Sequence, residues 1–134
     1  MKARNWQWLL ALTLIGAAQA EEDLDRTVSR LCEYTKVDDR SSLRRKLDEA
    51  ELDLRRIYGD IRCGADGSLL RVAAGNGAIE AATFIISKAG KRAITDTEKD
   101  GLTTLAWAQK KADSADAAMK PKIKAVVDLM QSKM

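Results

Sequence analysis

Apolar residues recur at helical spacing along most of the chain beyond residue 20. Leu24, Val28, Leu31 and Cys32 fall at i, i+4, i+7 and i+8, so one face of a first helix carries both an apolar stripe and a cysteine. After the turn-like Lys36-Val37-Asp38-Asp39, Ser41 or Ser42 is expected to cap a second helix with Leu43, Leu47 and Ala50 on one face. Leu54, Ile57, Tyr58 and Ile61, at 0, 3, 4 and 7, predict a third helix that ends near Cys63-Gly64, where glycine lets the chain turn. Leu52 and Leu54 alternate with acids and would also suit a short strand, but no second strand pattern exists to pair with it, so a helix is preferred. Near the end, Pro121 can open a last helix with Ile123, Val126, Val127 and Met130 on one face, and the Ala- and Asp-rich run from Ala112 to Lys120 reads as a loop or a helix end. The expectation is an all-α fold, a single small helical domain over residues 21–134.

The second half carries a weak internal repeat. The run from Asp66 to Glu80, with Gly67, Ser68, Leu69-Leu70 and Gly75-Asn76-Gly77, resembles the turn, inner helix and start of the outer helix of an ankyrin repeat. Asp100-Gly101 through Ala108 resembles the opening of a second, and the two Asp-Gly pairs lie 34 residues apart, near the ~33-residue ankyrin period. Ser68 and Thr103 would cap the inner helices, small Ala73 and Ala108 would let them pack closely, and the outer helices would be Ile79 to Lys88 and Pro121 to Ser132. The resemblance implies two ankyrin-like helix pairs behind an N-terminal helical cap. A helical bundle whose Asp-Gly turns merely coincide is the alternative.

The first twenty residues alter the picture of compartment. Lys2 and Arg4, the apolar stretch Trp8 to Ala18, and Ala18-Gln19-Ala20 have the order of a cleaved secretory signal, residues 1–20. That stretch is shorter than the ~20 residues of a membrane span, so no transmembrane segment is expected after cleavage, and the expected address is periplasmic or secreted. Of 23 Lys and Arg, Lys2 and Arg4 leave with the signal, so 21 face 20 Asp and Glu. That near-neutral balance argues against a nucleic-acid partner. Few aromatics remain, which favours a Leu, Ile, Val and Ala core and hence helices. In an oxidising space, Cys32 and Cys63 are expected to form a disulfide, worth ~3 to 4 kcal/mol in the chain-entropy model. A redox or metal site suits them poorly, because there is no CxxC and no histidine.

A second resemblance spans Cys32 to about Lys88. It rests on Asp39-Arg40 with Leu43-Arg44, Leu54-Arg55-Arg56-Ile57-Tyr58, Cys63-Gly64, Ser68-Leu69-Leu70, and Asn76-Gly77-Ala78 with Phe84-Ile85-Ile86. These resemble an uncharacterised family of small secreted bacterial proteins classed as a domain of unknown function. The usual Cys-Asn-Gly of that family appears here as Cys63-Gly64-Ala65. The resemblance implies export and a cysteine pair, and assigns neither an activity nor a functional residue.

The chemistry points away from catalysis. Without histidine there is no Ser-His-Asp or Cys-His arrangement, and Gly75-Asn76-Gly77 lacks the glycine spacing and lysine of a phosphate-binding loop. Carboxylate pairs such as Asp38 and Asp39, Asp48 and Glu49, or Asp96 and Glu98 read as solvated faces rather than an acid and a base. No catalytic residue, cofactor or metal is expected. An arginine cluster, Arg40, Arg44, Arg45, Arg55, Arg56, Arg62 and Arg71, gathers around the disulfide loop, and the residues singled out from it for binding are Arg44, Arg45, Arg55, Arg56 and Arg71, with Trp107 as a candidate interface anchor. Each has a plainer reading: the arginines pair with interspersed Asp48, Glu49, Glu51, Asp53 and Asp60, and Trp107 fills the core under the last helix. The expected function is a non-catalytic interaction module for a protein or an anionic envelope surface, with the oligomeric state left open. The alternative is a small enzyme using carboxylates or Tyr58 in a cleft.

Overall fold

The computed structural model describes residues 22–134, so the expected signal at residues 1–20 lies outside the described residues. Helix α1 covers residues 22–36. Its stripe engages late: Leu31 is fully buried and Val28 and Cys32 pack on the core, whereas Leu24 is 53 % exposed. The buried hydroxyl of Thr35 is satisfied by donating to the Leu31 carbonyl at 2.7 Å. Helix α2 (Arg40–Glu49) buries Leu43 and Leu47. Its cap is Asp39, not Ser41 or Ser42, and the Asp39 carboxylate accepts the Ser42 amide at 3.0 Å. Hydrogen bonds from Ser42 hold that carboxyl below the usual range. The serines instead sit inside the first turn, because a carboxylate at Asp39 already satisfies the orphan amide.

The third helix is shorter than the 0, 3, 4, 7 pattern predicts. Helix α3 (Leu54–Ile57) is one turn, capped by Asp53, and the chain then tightens into a 3-10 turn at Tyr58–Asp60. Gly59 weakens helix propagation there. Ile61 still reaches the core, carried by extended backbone rather than by helix. A second 3-10 turn, Gly64–Asp66, follows. The Cys32–Cys63 disulfide, S–S 2.07 Å and Cα–Cα 5.7 Å, ties this irregular segment to α1.

Two helix pairs make up the rest. Helix α4 (Leu69–Gly75) precedes α5 (Ile79–Ala89), and after the one-turn α6 (Arg92–Thr95), α7 (Thr104–Ser114) precedes α8 (Lys120–Ser132). Ser68 and Thr103 cap α4 and α7 as the sequence predicts, each hydroxyl accepting the amide three residues on. Helix α4 packs on both α5 and α7, α8 packs on α7 and α5, and α2 and α3 pack on α5. Ala73 and Ala108 are fully buried, and their small side chains suit a close α4–α7 approach. The last helix buries Ile123, Val126, Val127 and Met130, the full predicted stripe.

Two long-range contacts set the stacking. Gly77, at φ +63°, lies so close to α8 that an added Cβ would stand 2.5 Å from the Lys122 Cβ, so glycine is required there by both backbone and space. Helix α5 has no side-chain cap of its own, and Asp38, 43 residues earlier, accepts the Ala81 amide at 2.8 Å. A turn residue in the sequence thus closes a helix elsewhere in the fold. Among the described residues there is no strand, only an isolated bridge between Thr97 and Thr103, and no helix is long and apolar enough to cross a membrane.

Candidate functional site

Arg71 lies on the fully packed helix α4, and its side chain is only 7 % exposed. A buried guanidinium needs partners. Asp100 supplies a bidentate pair at 2.7 and 2.9 Å, and the Leu102 carbonyl accepts a third bond at 3.0 Å. Glu98 Oε2 stands 2.9 Å from Arg71 Nε, yet the same oxygen accepts the hydroxyls of Ser68 and Thr104, both at 2.9 Å. With those lone pairs taken, the Nε contact is ionic and the Nε–H makes no hydrogen bond. Glu98 thereby joins the first residue of α7 to the cap of α4, while its Oε1 takes Arg62 at 3.2 Å.

The hydrogen bonds to Asp100 raise the Arg71 pKa further and, reciprocally, hold the Asp100 carboxyl at about 2. A carboxylate whose folded pKa lies below its unfolded ~3.9 adds stability that is present above that value and is lost as pH falls through about 2. Asp100→Asn is therefore expected to flatten the loss of thermal stability between about pH 4 and pH 2. Circular-dichroism melts across that range check it, and identical pH profiles for the two proteins would refute it.

Beside this network opens a cleft of about 430 Å³ between α3 with its 3-10 turn and the α5–α6 junction. Arg55, Arg56, Arg62, Lys91 and Arg92 line it, with Asp60, Asp96 and Glu98 as its acids. Arg62 is paired with Glu98 and Arg92 with Asp96 at 3.2 Å, but Arg55, Arg56 and Lys91 have no carboxylate in salt-bridge range among the described residues. Tyr58 and Ser68 also line the wall. The Tyr58 hydroxyl accepts the Leu70 amide at 3.3 Å, and burial pushes its pKa up to about 12, so it stays a neutral phenol. Such a lining can hold an oxyanion through charge-assisted hydrogen bonds.

The sequence-predicted residues fall into three places. Arg55 and Arg56 are exposed on α3 and line the cleft. Arg44 and Arg45 line a separate depression on α2 with Arg40 and Glu49. There Arg44 lies over the Phe84 ring at 5.6 Å, and Arg45 donates to the Ser42 hydroxyl at 3.2 Å. Arg71 is turned inward, its charge engaged by Asp100 and Glu98. Trp107 is half-buried beside Gly75, with Arg71 and Lys111 near its ring at 5.3 and 5.7 Å. Of the acids expected to neutralise the arginine cluster, Asp48, Glu49, Glu51, Asp53 and Asp60 form no ion pair among the described residues. Sequence reasoning overlooked Lys91 and Arg92. Their signal was present, as an adjacent basic pair directly after the helix-ending Gly90, but the tertiary fold alone brings them opposite α3.

Fold and site together define a small, disulfide-linked, all-helical domain with a cationic cleft. The chain belongs to a family described as proteins of unknown function, DUF3718, whose model matches residues 31–98. That span includes both cysteines and all the cleft-lining residues, and ends before α7. The comparisons with curated proteins and with solved structures give no match.

Proposed function

We propose that the protein is a secreted or periplasmic, non-catalytic interaction module that receives an anionic partner on its arginine-bearing face. The observation that carries this reading is the cleft that Arg55, Arg56 and Lys91 line without carboxylate partners among the described residues. Unpaired cations in a concave site are electrostatically poised for an anion. The disulfide supports an oxidising compartment. Stacking of the α4–α5 pair on the α7–α8 pair supports the ankyrin-like reading, with α1 to α3 covering one end as a cap. Within this reading Arg44 and Arg45 extend the basic face, whereas Arg71 and Trp107 act as supports. A non-catalytic role is favoured because the most enclosed acid of the cleft, Glu98, is already held by Arg62, Ser68 and Thr104.

The test is co-purification of the tagged chain from an extracytoplasmic extract, in parallel with Arg55→Glu/Arg56→Glu and Arg44→Glu/Arg45→Glu. The α3 double variant is expected to keep its helical content and lose the partner. A partner retained by the folded α3 variant would remove the cleft from the binding surface. Loss with the α2 variant as well would extend the surface to that face.

A further inference from the structure

We propose that the cleft is a seat for a phosphate monoester, bound as its dianion. The inference rests on the anionic-partner reading and narrows it to one chemistry. Five cations and three carboxylates leave the lining at +2, which matches the charge a phosphate monoester approaches at neutral pH. The cations arrive from two stretches far apart in sequence, α3 with the Arg62 loop that follows it and the α5–α6 junction. They line one cleft, and the two stretches approach closely at one point, where Arg55 Nη2 lies 3.8 Å from where a Cβ on Gly90, the residue before Lys91, would stand. Convergence of several forks and an ammonium suits a tetrahedral group with three terminal oxygens, whereas one carboxylate is saturated by a single arginine.

The surroundings say more about the ligand. About 430 Å³ exceeds what a bare phosphate fills and falls in the range of small-molecule sites, leaving room for a sugar-sized body. The apolar part of the wall consists of Ala89, Ala93 and the Tyr58 ring. The exposed large hydrophobic residues Leu24, Val37 and Met134 are not part of it. Among the described residues no large exposed hydrophobic side chain rims the site, which favours a soluble ester over a membrane headgroup, since the latter usually needs apolar anchoring beside the charge.

Titration calorimetry at low ionic strength tests this with glucose 6-phosphate and inorganic phosphate, against succinate as a dicarboxylate of equal charge. Both phosphate probes are expected to bind saturably, with succinate roughly tenfold weaker. Arg55→Gln/Arg56→Gln and, separately, Lys91→Gln from the other segment are expected to weaken glucose 6-phosphate binding roughly tenfold or more. Lys124→Gln on α8 should leave it unchanged, and all variants are checked for native helical content. Flotation with phosphatidylcholine vesicles carrying phosphatidic acid separates the sources. Vesicle binding that glucose 6-phosphate displaces supports the proposal with a lipid headgroup as source, and soluble-ester binding without vesicle binding supports it with a soluble one. No saturable phosphate binding by the folded protein, equal binding of succinate, or an unaffected Lys91→Gln variant overturns it. If phosphate fails while Arg55→Glu/Arg56→Glu still loses a co-purifying partner, the monoester inference falls and the interaction module stands. If phosphate binds and that variant keeps its partner, the reverse holds.

Discussion

Glu98→Ala is expected to destabilise the protein by about 3–5 kcal/mol, the cost typical of removing one member of a buried ion pair. The carboxylate is 14 % exposed and faces a guanidinium that is 7 % exposed. Without it Arg71 keeps Asp100 and the Leu102 carbonyl, but its Nε side loses its counter-charge inside the fold. Ser68 and Thr104 lose the acceptor of their hydroxyls at the same time. Each donor left unsatisfied in a buried place costs about 1–3 kcal/mol. Denaturant unfolding of the variant measures the loss. A second variant isolates its cause: Arg71→Met/Glu98→Met removes both enclosed charges and is expected to be less destabilised than Glu98→Ala, since the Asp100 carboxylate it orphans is 44 % exposed and is left to water, with no uncompensated ion inside the fold. A drop of under about 1 kcal/mol for Glu98→Ala would mean that the network is solvated and does not hold the helix pairs together.

Cys32→Ser/Cys63→Ser is expected to cost about 3–4 kcal/mol, from the unfolded-state entropy that a crosslink between residues 31 apart removes. The loss should also be uneven along the chain. Helix α1 is held by Val28, Leu31, Cys32, Tyr34 and Thr35, while residues 22–26 are exposed throughout. The segment bearing Cys63 is built of 3-10 turns and extended backbone, which hold fewer cooperative hydrogen bonds than an α-helix. Hydrogen exchange is therefore expected to quicken first in residues 22–36 and 58–68, with α7 and α8 retaining more of their protection. Uniform acceleration over the whole chain would show instead that the crosslink acts only through the unfolded state. Arg62 adjoins Cys63, so the same tether also steadies one wall of the cleft.

Much of the helical architecture was legible because burial on one face imposes a period that survives in the residue order. The stripe of Ile123, Val126, Val127 and Met130 became the buried face of α8, and Ser68 and Thr103 became caps because a hydroxyl before a helix satisfies an amide three residues on. Where the pattern misled, a local competitor won. Asp39 took the cap expected of Ser41 or Ser42, and the run beginning at Leu54 gave up its helix at Tyr58 while still delivering Ile61 to the core. The cleft was half legible: Arg55 and Arg56 stood out as arginines, but Lys91 and Arg92 looked like ordinary residues of a turn.

By itself, then, the sequence determined the helix-forming segments, the turns at Asp66-Gly67 and Asp100-Gly101, and the cysteine pair, because each depends on residues close in sequence or on a count of candidates. Tertiary structure decided which charges are free. Arg71 and Arg55 are alike in sequence, and Arg71 is neutralised because the fold carries Glu98 and Asp100, nearly thirty residues away, to its side, while among the described residues no carboxylate comes into salt-bridge range of Arg55. Charge pairing acts through space over a few ångströms, and the order of residues alone does not encode which distant side chains come that close.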